Sequence, residues 1–180
     1  MEFLLDRHSS ADALKSFECG IKEMDHFIHH RLAEFLVDHK NQLFVVRDIQ
    51  NDIVAMFVLS EGYFFDDSET FEDMPAYGKP FAILDKVSGT TKFTKRYSTV
   101  EIEYLAVSKK LQGTHIGTSI IQAIANLAKS QNTQFVTVDA YCTMDYSAVP
   151  FYQKCNFKIL ENQDRTYDTV RMLYVVDYLV

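Results

Sequence analysis

Apolar positions along this 180-residue chain follow two periods. Between Glu18 and Lys40, the residues Ile21, Met24, Phe27, Ile28, Leu32, Phe35 and Leu36 fall on one side of a 3.6-residue spiral. The stretch ECGIKEMDHFIHHRLAEFLVDHK therefore predicts an amphipathic helix, with Gly20 at the turn that precedes it. Upstream, EFLL at residues 2–5 predicts a first strand, and Ser9 and Ser10 are candidate caps for a short helix in SSADALKSF. NQLFVVRD and IVAMFVLSEG predict two strands joined by a tight turn around Gln50, Asn51 and Asp52, a hairpin. Residues 63–98 are the least regular part. They hold Pro75, Pro80, Gly78 and Gly89, an acidic run DDSETFED, and a segment FAILDKV that fits a helix or a strand. Beyond them the periods sharpen. STVEIEYLAV is a strand, and residues 115–130 a helix striped by Ile116, Ile120, Ile121, Ile124, Leu127 and Ala128. QFVTVDAYC is a strand, SAVPFYQKC a short helix with Pro150 in its first turn, and NFKIL and VRMLYVVDYL close the chain as strands. No repeat, low-complexity tract or Pro/Gly-rich linker breaks this order, which predicts one α/β domain over residues 1–180 with a mixed sheet.

Composition narrows the function classes. Apolar residues make up 47% and charged residues 24%, ordinary values for a globular protein with a sizeable core. Eighteen basic against 25 acidic residues leave a formal charge of −7, which disfavours a duplex nucleic-acid partner. Cys19, Cys142 and Cys155 have no CxxC spacing and fit free thiols in a reducing compartment. MEFLLDRH is too short an apolar run for a signal peptide, and no stretch approaches a membrane span. The expected location is the cytoplasm, with no membrane partner.

Between the strand VEIEYLAV and the helix IIQAIANLA lies LQGTHIGTS, residues 111–119. A strand that runs straight into a helix leaves the first helical N–H groups without partners, at the positive end of the macrodipole. Such a place binds phosphate well, and glycine lets the backbone approach closely. The loop contains neither GxxxxGK[ST] nor GxGxxG, and its GxxxG lies in a polar context. Taken alone, it fits a structural turn or an anion site.

Two motifs together resemble the GNAT superfamily of acetyl-CoA-dependent N-acetyltransferases. The first is the strand, loop and helix around residues 111–119, similar to the family's Q/R-x-x-G-x-G/A loop: Gln112 matches its first position and Gly117 its last glycine, with His115 where the first glycine is usual. The second is DYSAVPFYQKCNF, similar to N-x-x-A-x-x-F-Y-x-K-x-G-F. Asp145 takes the Asn place, Ala148, Phe151, Tyr152, Lys154 and Phe157 match, and Asn156 replaces a glycine. Asn is the residue next best suited to a left-handed backbone. The motifs cover residues 98–160 or so. The resemblance implies a mixed, mostly antiparallel sheet with a splayed parallel strand pair, flanked by helices, and acetyl-CoA as cosubstrate. It implies that Gln112, Gly113, Thr114, His115, Ile116, Gly117 and Thr118 hold the pyrophosphate, that the pantetheine arm runs along the main chain at Leu105 and Val107, and that Asp145 faces the cofactor. A further likeness lies in SFECGIKEMDHFIHHRL, similar to the F-x-C-G-x-x-x-L-x-x-F-L opening of a GNAT subgroup that includes toxins acetylating aminoacyl-tRNA; Phe17, Cys19, Gly20, Met24, Phe27 and Ile28 carry it.

Acetyl transfer to an amine requires a base for the ammonium proton and benefits from an acid for the departing thiolate. Glu101 and Glu103 lie on the strand before the loop. A period of two puts them on one face with Leu105 and Val107, opposite Val100, Ile102, Tyr104 and Ala106. The family draws a Glu from this strand, so both are candidate bases; the alternative is a pair of solvated or Lys-paired carboxylates. The resemblance makes Tyr152 the general acid, and aromatic packing is the competing role. His26, His29 and His30 share a helix face, but without HExxH or a third ligand they predict no metal site. The acidic run Asp66, Asp67, Glu69, Glu72 and Asp73 fits a solvated loop, or a lip for a cationic amine. The expected reaction moves acetyl from acetyl-CoA to a primary amine of a small molecule or protein. The alternatives are a toxin acting on aminoacyl-tRNA and a CoA-binding module without catalysis. The aromatic final stretch YVVDYL offers an edge for a homodimer.

Overall fold

The computed structural model describes residues 4–7, 10–37, 40–66, 81–84, 91–160 and 168–176. Its strands are β1 (Leu4–Asp6), β2 (Gln42–Arg47), β3 (Ile53–Asp66), β4 (Phe81–Leu84), β5 (Thr91–Val107), β6 (Phe135–Tyr141), β7 (Lys158–Ile159) and β8 (Thr169–Val175). Its α-helices are α1 (Lys22–His30), α2 (Leu32–Phe35), α3 (Ile116–Ser130) and α4 (Val149–Lys154). The sheet runs β1-β2-β3-β5-β6-β8-β7, with β4 paired to the first part of β5. Of these pairings only β5–β6 is parallel. Parallel neighbours need a crossover, and α3 supplies it. Among the described residues no helix is long and apolar enough to cross a membrane.

Each face of the sheet is buried under helix. Ile116, Ile120, Ile121, Ile124 and Ala128 of α3 recur at helical spacing and pack with Val100, Ile102, Phe57 and Leu59 on one face, where α4 adds Tyr152 and Cys155. On the other face Ile28 and Leu32, with Met24, Phe27, Phe35 and Leu36 beside them, cover Met56, Val58 and Ala106. The predicted long helix is broken at Arg31, whose φ of −120° lies outside the helical range, so its apolar stripe is carried by α1 and α2 in turn.

The hairpin turn forms as expected, with Asn51 left-handed at φ 70°. Pro150 stands in the first turn of α4, and Asn156 takes the left-handed conformation that the glycine position demands, at φ 67°. FAIL is a strand, and the rest of FAILDKV lies outside the described residues. So do the side chains of the acidic run, and Asp177, Tyr178 and Leu179 of YVVDYL. Of the predicted first strand, Leu4 and Leu5 lie in β1, and Glu2 and Phe3 fall outside the described residues, as does Ser9. Ser10 occupies the cap position of the 3-10 turn Ala11–Leu14 but makes no side-chain capping bond.

The face assignment along β5 needs correction. Leu59 pairs with Ile102 and Val58 with Tyr104, which leaves Glu103 as the extra residue of a β-bulge. One inserted residue reverses the alternation. Val100 and Ile102 therefore share the α3 face with Leu105 and Val107, while Tyr104 and Ala106 lie under α1. Glu101 and Glu103 are on the opposite face from Leu105 and Val107.

Candidate active site

Strands β5 and β6 pair only at Val100–Val136, Glu101–Thr137 and Ile102–Val138. From Glu103 onward they part, and the edge of β5 turned towards β6 has no strand partner among the described residues. A cleft of about 460 Å³ opens along this end of β5, with Leu105, Ala106 and Val107 in its lining. One wall is the N-terminal segment, through Cys19, Ile21 and Met24. The other comes from α4 and the turn before it, through Tyr146, Phe151, Tyr152 and Lys154. The loop Gln112–Thr118 closes one end.

The N-terminal wall is stitched to that loop. Lys109 N–H donates to Glu18 O at 3.0 Å, and Gln112 Nε2 donates to Cys19 O at 2.7 Å and to Val107 O at 3.2 Å. The amides of Cys19 and Gly20 in turn donate to the Asp25 carboxylate at 2.7 and 3.0 Å. Gly20 is left-handed at φ +82°, and a Cβ there would stand 2.8 Å from Lys109 Cδ. The F-x-C-G stretch is thus more than a helix-packing signature, because it builds a wall of the cleft. Burial of Phe17 and Cys19 fixes it to the core.

The loop presents donors. No side chain caps α3, and the amides of Gly113, His115, Ile116, Gly117 and Thr118 find no acceptor among the described residues. His115, in the place of the usual glycine, is forced left-handed at φ 65° and ψ 6°, and its ring is on an exposed residue. Gly117 serves packing, since a Cβ on it would meet the Phe151 ring at 3.0 Å. Two side chains of the loop bond within the protein. Gln112 directs its side-chain amide to the N-terminal wall and Thr114 Oγ1 donates to Leu111 O at 2.6 Å, while Gln112 and Thr118 both line the cleft. Asp145 is exposed and does not line the cleft, and its neighbour Tyr146 does.

Tyr152 is 5% exposed and lines the cleft, with Phe151 and Phe157 against its ring at 5.0 and 5.2 Å. Its hydroxyl has no hydrogen-bond partner among the described residues. Burial, then the Tyr146 and Cys155 groups, push its pKa above the ordinary phenol range, so it keeps its proton. Cys19 also stays protonated, because burial lifts its pKa to about 11. A buried thiol of that kind is no nucleophile.

On the α1 face the two glutamates differ. Arg171 of β8 holds Glu101 through Nη1–Oε1 and through Nη2–Oε2 at 2.8 Å. Glu103, at the bulge, accepts from Ser60 Oγ at 2.5 Å. Burial raises its pKa, partly opposed by the Ser60 bond and reinforced by the charge of Glu101. Of the three exposed histidines, His29 bonds the N-terminal segment, its Nε2 meeting Phe17 O at 2.8 Å, and His26 and His30 lie with ring centroids 4.7 Å apart. No group of three or more metal-ligating side chains converges among the described residues.

A family model described as "Acetyltransferase (GNAT) family" matches residues 10–157. The chain belongs to this family. It is an acetyl-CoA-dependent acyltransferase, and the open loop amides and the unpaired edge of β5 fit that cosubstrate. Solved GNAT structures share the fold along almost the whole length. AtaT complexed with acetyl-methionyl-tRNAfMet has a TM-score of 0.65 at 14% identity, over 97% of this chain and 95% of that one. A tyrosine-to-phenylalanine mutant of KacT has a TM-score of 0.64 at 14% identity, over 98% and 96%. An AtaT mutant toxin bound to the C-terminus of the antitoxin AtaR and acetyl-CoA gives 0.62 at 13%, over 98% and 94%.

Tyr146 is the functional candidate that sequence reasoning missed. The family pattern leaves its position free, and only the fold turns it into the cleft. Ser60 and Arg171 were equally silent, being 43 and 70 residues from the glutamates they hold.

Proposed function

We propose that this GNAT enzyme, acting as a single domain, transfers acetyl from acetyl-CoA to a primary amine of a small molecule or protein by direct attack. The amides of Gly113 and His115 to Thr118 hold the pyrophosphate, and the main chain at Leu105 and Val107 guides the pantetheine arm. Acetyl-CoA supplies the activated thioester. Glu103 takes the ammonium proton, the amine nitrogen bonds the acetyl carbon as the carbon–sulfur bond breaks, Tyr152 gives its proton to the sulfur, and the second nitrogen proton, shed as the amide forms, restores the Tyr152 phenol. Glu101, bound to Arg171, orients this face rather than acting as base.

The observation that carries this reading is Tyr152, a 5% exposed residue that lines the cleft with a hydroxyl unbonded among the described residues. The test is release of free CoA from acetyl-CoA across a panel of primary amines. Amine-dependent release supports the reading. Cofactor binding with no release on any amine overturns it in favour of a binding module.

A second reading, acetylation of the α-amine of aminoacyl-tRNA, draws support from the F-x-C-G wall and from the likeness to AtaT. The formal charge of −7 speaks against a polyanionic acceptor. Labelled acetyl-CoA offered with charged tRNA and with free amines in parallel separates the two.

A further inference from the structure

Two carboxylates two residues apart on one strand stand in opposite situations, and a third chain element decides which is which. Arg171 projects from β8, opposite Asp139 of β6 in the pairing register. Its Nη1 meets Glu101 Oε1 and lies 3.3 Å from Asp139 Oδ1, and its Nη2 donates to Glu101 Oε2 at 2.8 Å. Thr137 Oγ1 adds a donor to Oε2 at 3.3 Å and shares a 2.8 Å hydrogen bond with Thr99. The Arg171 and Glu101 side chains are 13% and 14% exposed. Gly62, paired with Thr99, makes room for them: a Cβ there would collide with Glu101 Oε2 and stand 2.6 Å from Thr99 Oγ1. A largely buried ion pair of this kind stabilises a fold no better than apolar residues of the same volume. Its distinctive effect is to fix charge and direction.

We propose that Arg171 is a positioning residue for acetyl transfer: by claiming both oxygens of Glu101 it leaves Glu103, at the bulge, as the carboxylate that meets the amine. The inference rests on the reading of Glu103 as base. Arg171 also supplies the positive charge that offsets Glu101 beside it. The groups whose charge or hydrogen bond acts on Glu103 among the described residues are Ser60 from β3, Glu101 and Tyr104 from β5, Asp139 from β6 and Arg171 from β8, and the charge of Arg31, between α1 and α2, acts on Tyr104. Loss of Arg171 leaves Glu101 as an uncompensated negative neighbour, which makes ionisation of Glu103 harder. Loss of the Glu101 charge leaves Arg171 as a positive neighbour, which makes it easier.

The test is the pH profile of kcat/KM for the full chain and four variants. In wild type, the acidic limb is identified as the one that Glu103→Gln removes. Arg171→Gln moves that limb to higher pH and Glu101→Gln to lower pH, each by at least about half a unit. Arg171→Lys keeps the charge without the two-pronged grip, so kcat falls while the limb stays within that margin of wild type. Limbs that do not move, or that move the same way in both neutralised variants, overturn the proposal, because a merely structural role predicts rate losses with an unmoved limb. If Arg171→Gln does not fold, Glu101→Gln and Arg171→Lys still decide: an unmoved limb in Glu101→Gln sinks it. If Glu103→Gln leaves the wild-type limb in place, the assignment of the base is wrong, and the positioning role falls with it.

Discussion

Replacing Tyr152 with Phe separates chemistry from packing at the centre of the cleft. The substitution keeps the ring, and with it the contacts to Phe151 at 5.0 Å and Phe157 at 5.2 Å. It removes a hydroxyl that bonds nothing among the described residues and opens on the cleft. Stability should therefore change by no more than about 0.5 kcal/mol. A hydroxyl buried in a satisfied hydrogen bond would instead cost roughly 1–3 kcal/mol through the partner left behind. The rate should fall far more. Loss of a positioned proton donor slows transfer about 10²- to 10⁴-fold, or about 3–5 kcal/mol of barrier. Two assays decide it: CoA thiol release at saturating amine, and a urea melt of the same preparation. A turnover within about threefold of wild type would refute Tyr152 as acid. A melt that loses more than about 1 kcal/mol would show that the hydroxyl holds structure.

His115→Gly should raise stability by about 0.5–1 kcal/mol, because relief of a left-handed backbone worth roughly 1–2 kcal/mol outweighs the added chain freedom of glycine. The thermal midpoint should rise by about 1–4 °C, and a fall would contradict the backbone geometry at φ 65°. Gly20→Ala meets a positive φ and the Lys109 side chain at once. It should lose about 1–2 kcal/mol in a denaturant melt, and neutrality would sink the account of the N-terminal wall. Glu103 has a raised folded-state pKa. Its contribution to stability is therefore full below the unfolded pKa and lost as pH rises through the folded one. Melts of Glu103→Gln against wild type across that window should show the variant gaining relative stability as pH rises, and a constant difference would contradict the assignment.

Much of this architecture was legible in the chain because local chemistry and tertiary packing agree. The isoleucines of α3 are apolar at helical spacing and are buried at the same positions. Asn51 and Asn156 stand where a left-handed backbone is required, and both adopt it. The face of β5 was not legible. A bulge at Glu103 depends on how β3 pairs across from it, and a period of two applied to VEIEYLAV carries no trace of that partner. The sorting of the glutamates failed to appear for the same reason: Ser60 and Arg171 reach them only through the sheet. The partner of the Gln112 side chain was hidden too, because Cys19 O lies within its reach only once the N-terminal segment has folded against the loop. The break at Arg31 was hidden because the apolar stripe continues across it.

The most direct test of the account is a calorimetric titration of the full chain with acetyl-CoA and, separately, with CoA. Saturable binding at micromolar cofactor is predicted, since five loop amides stand open at the start of α3 and a cleft of about 460 Å³ runs from them along β5. No heat of binding at millimolar acetyl-CoA would contradict it and reduce LQGTHIGTS to a turn.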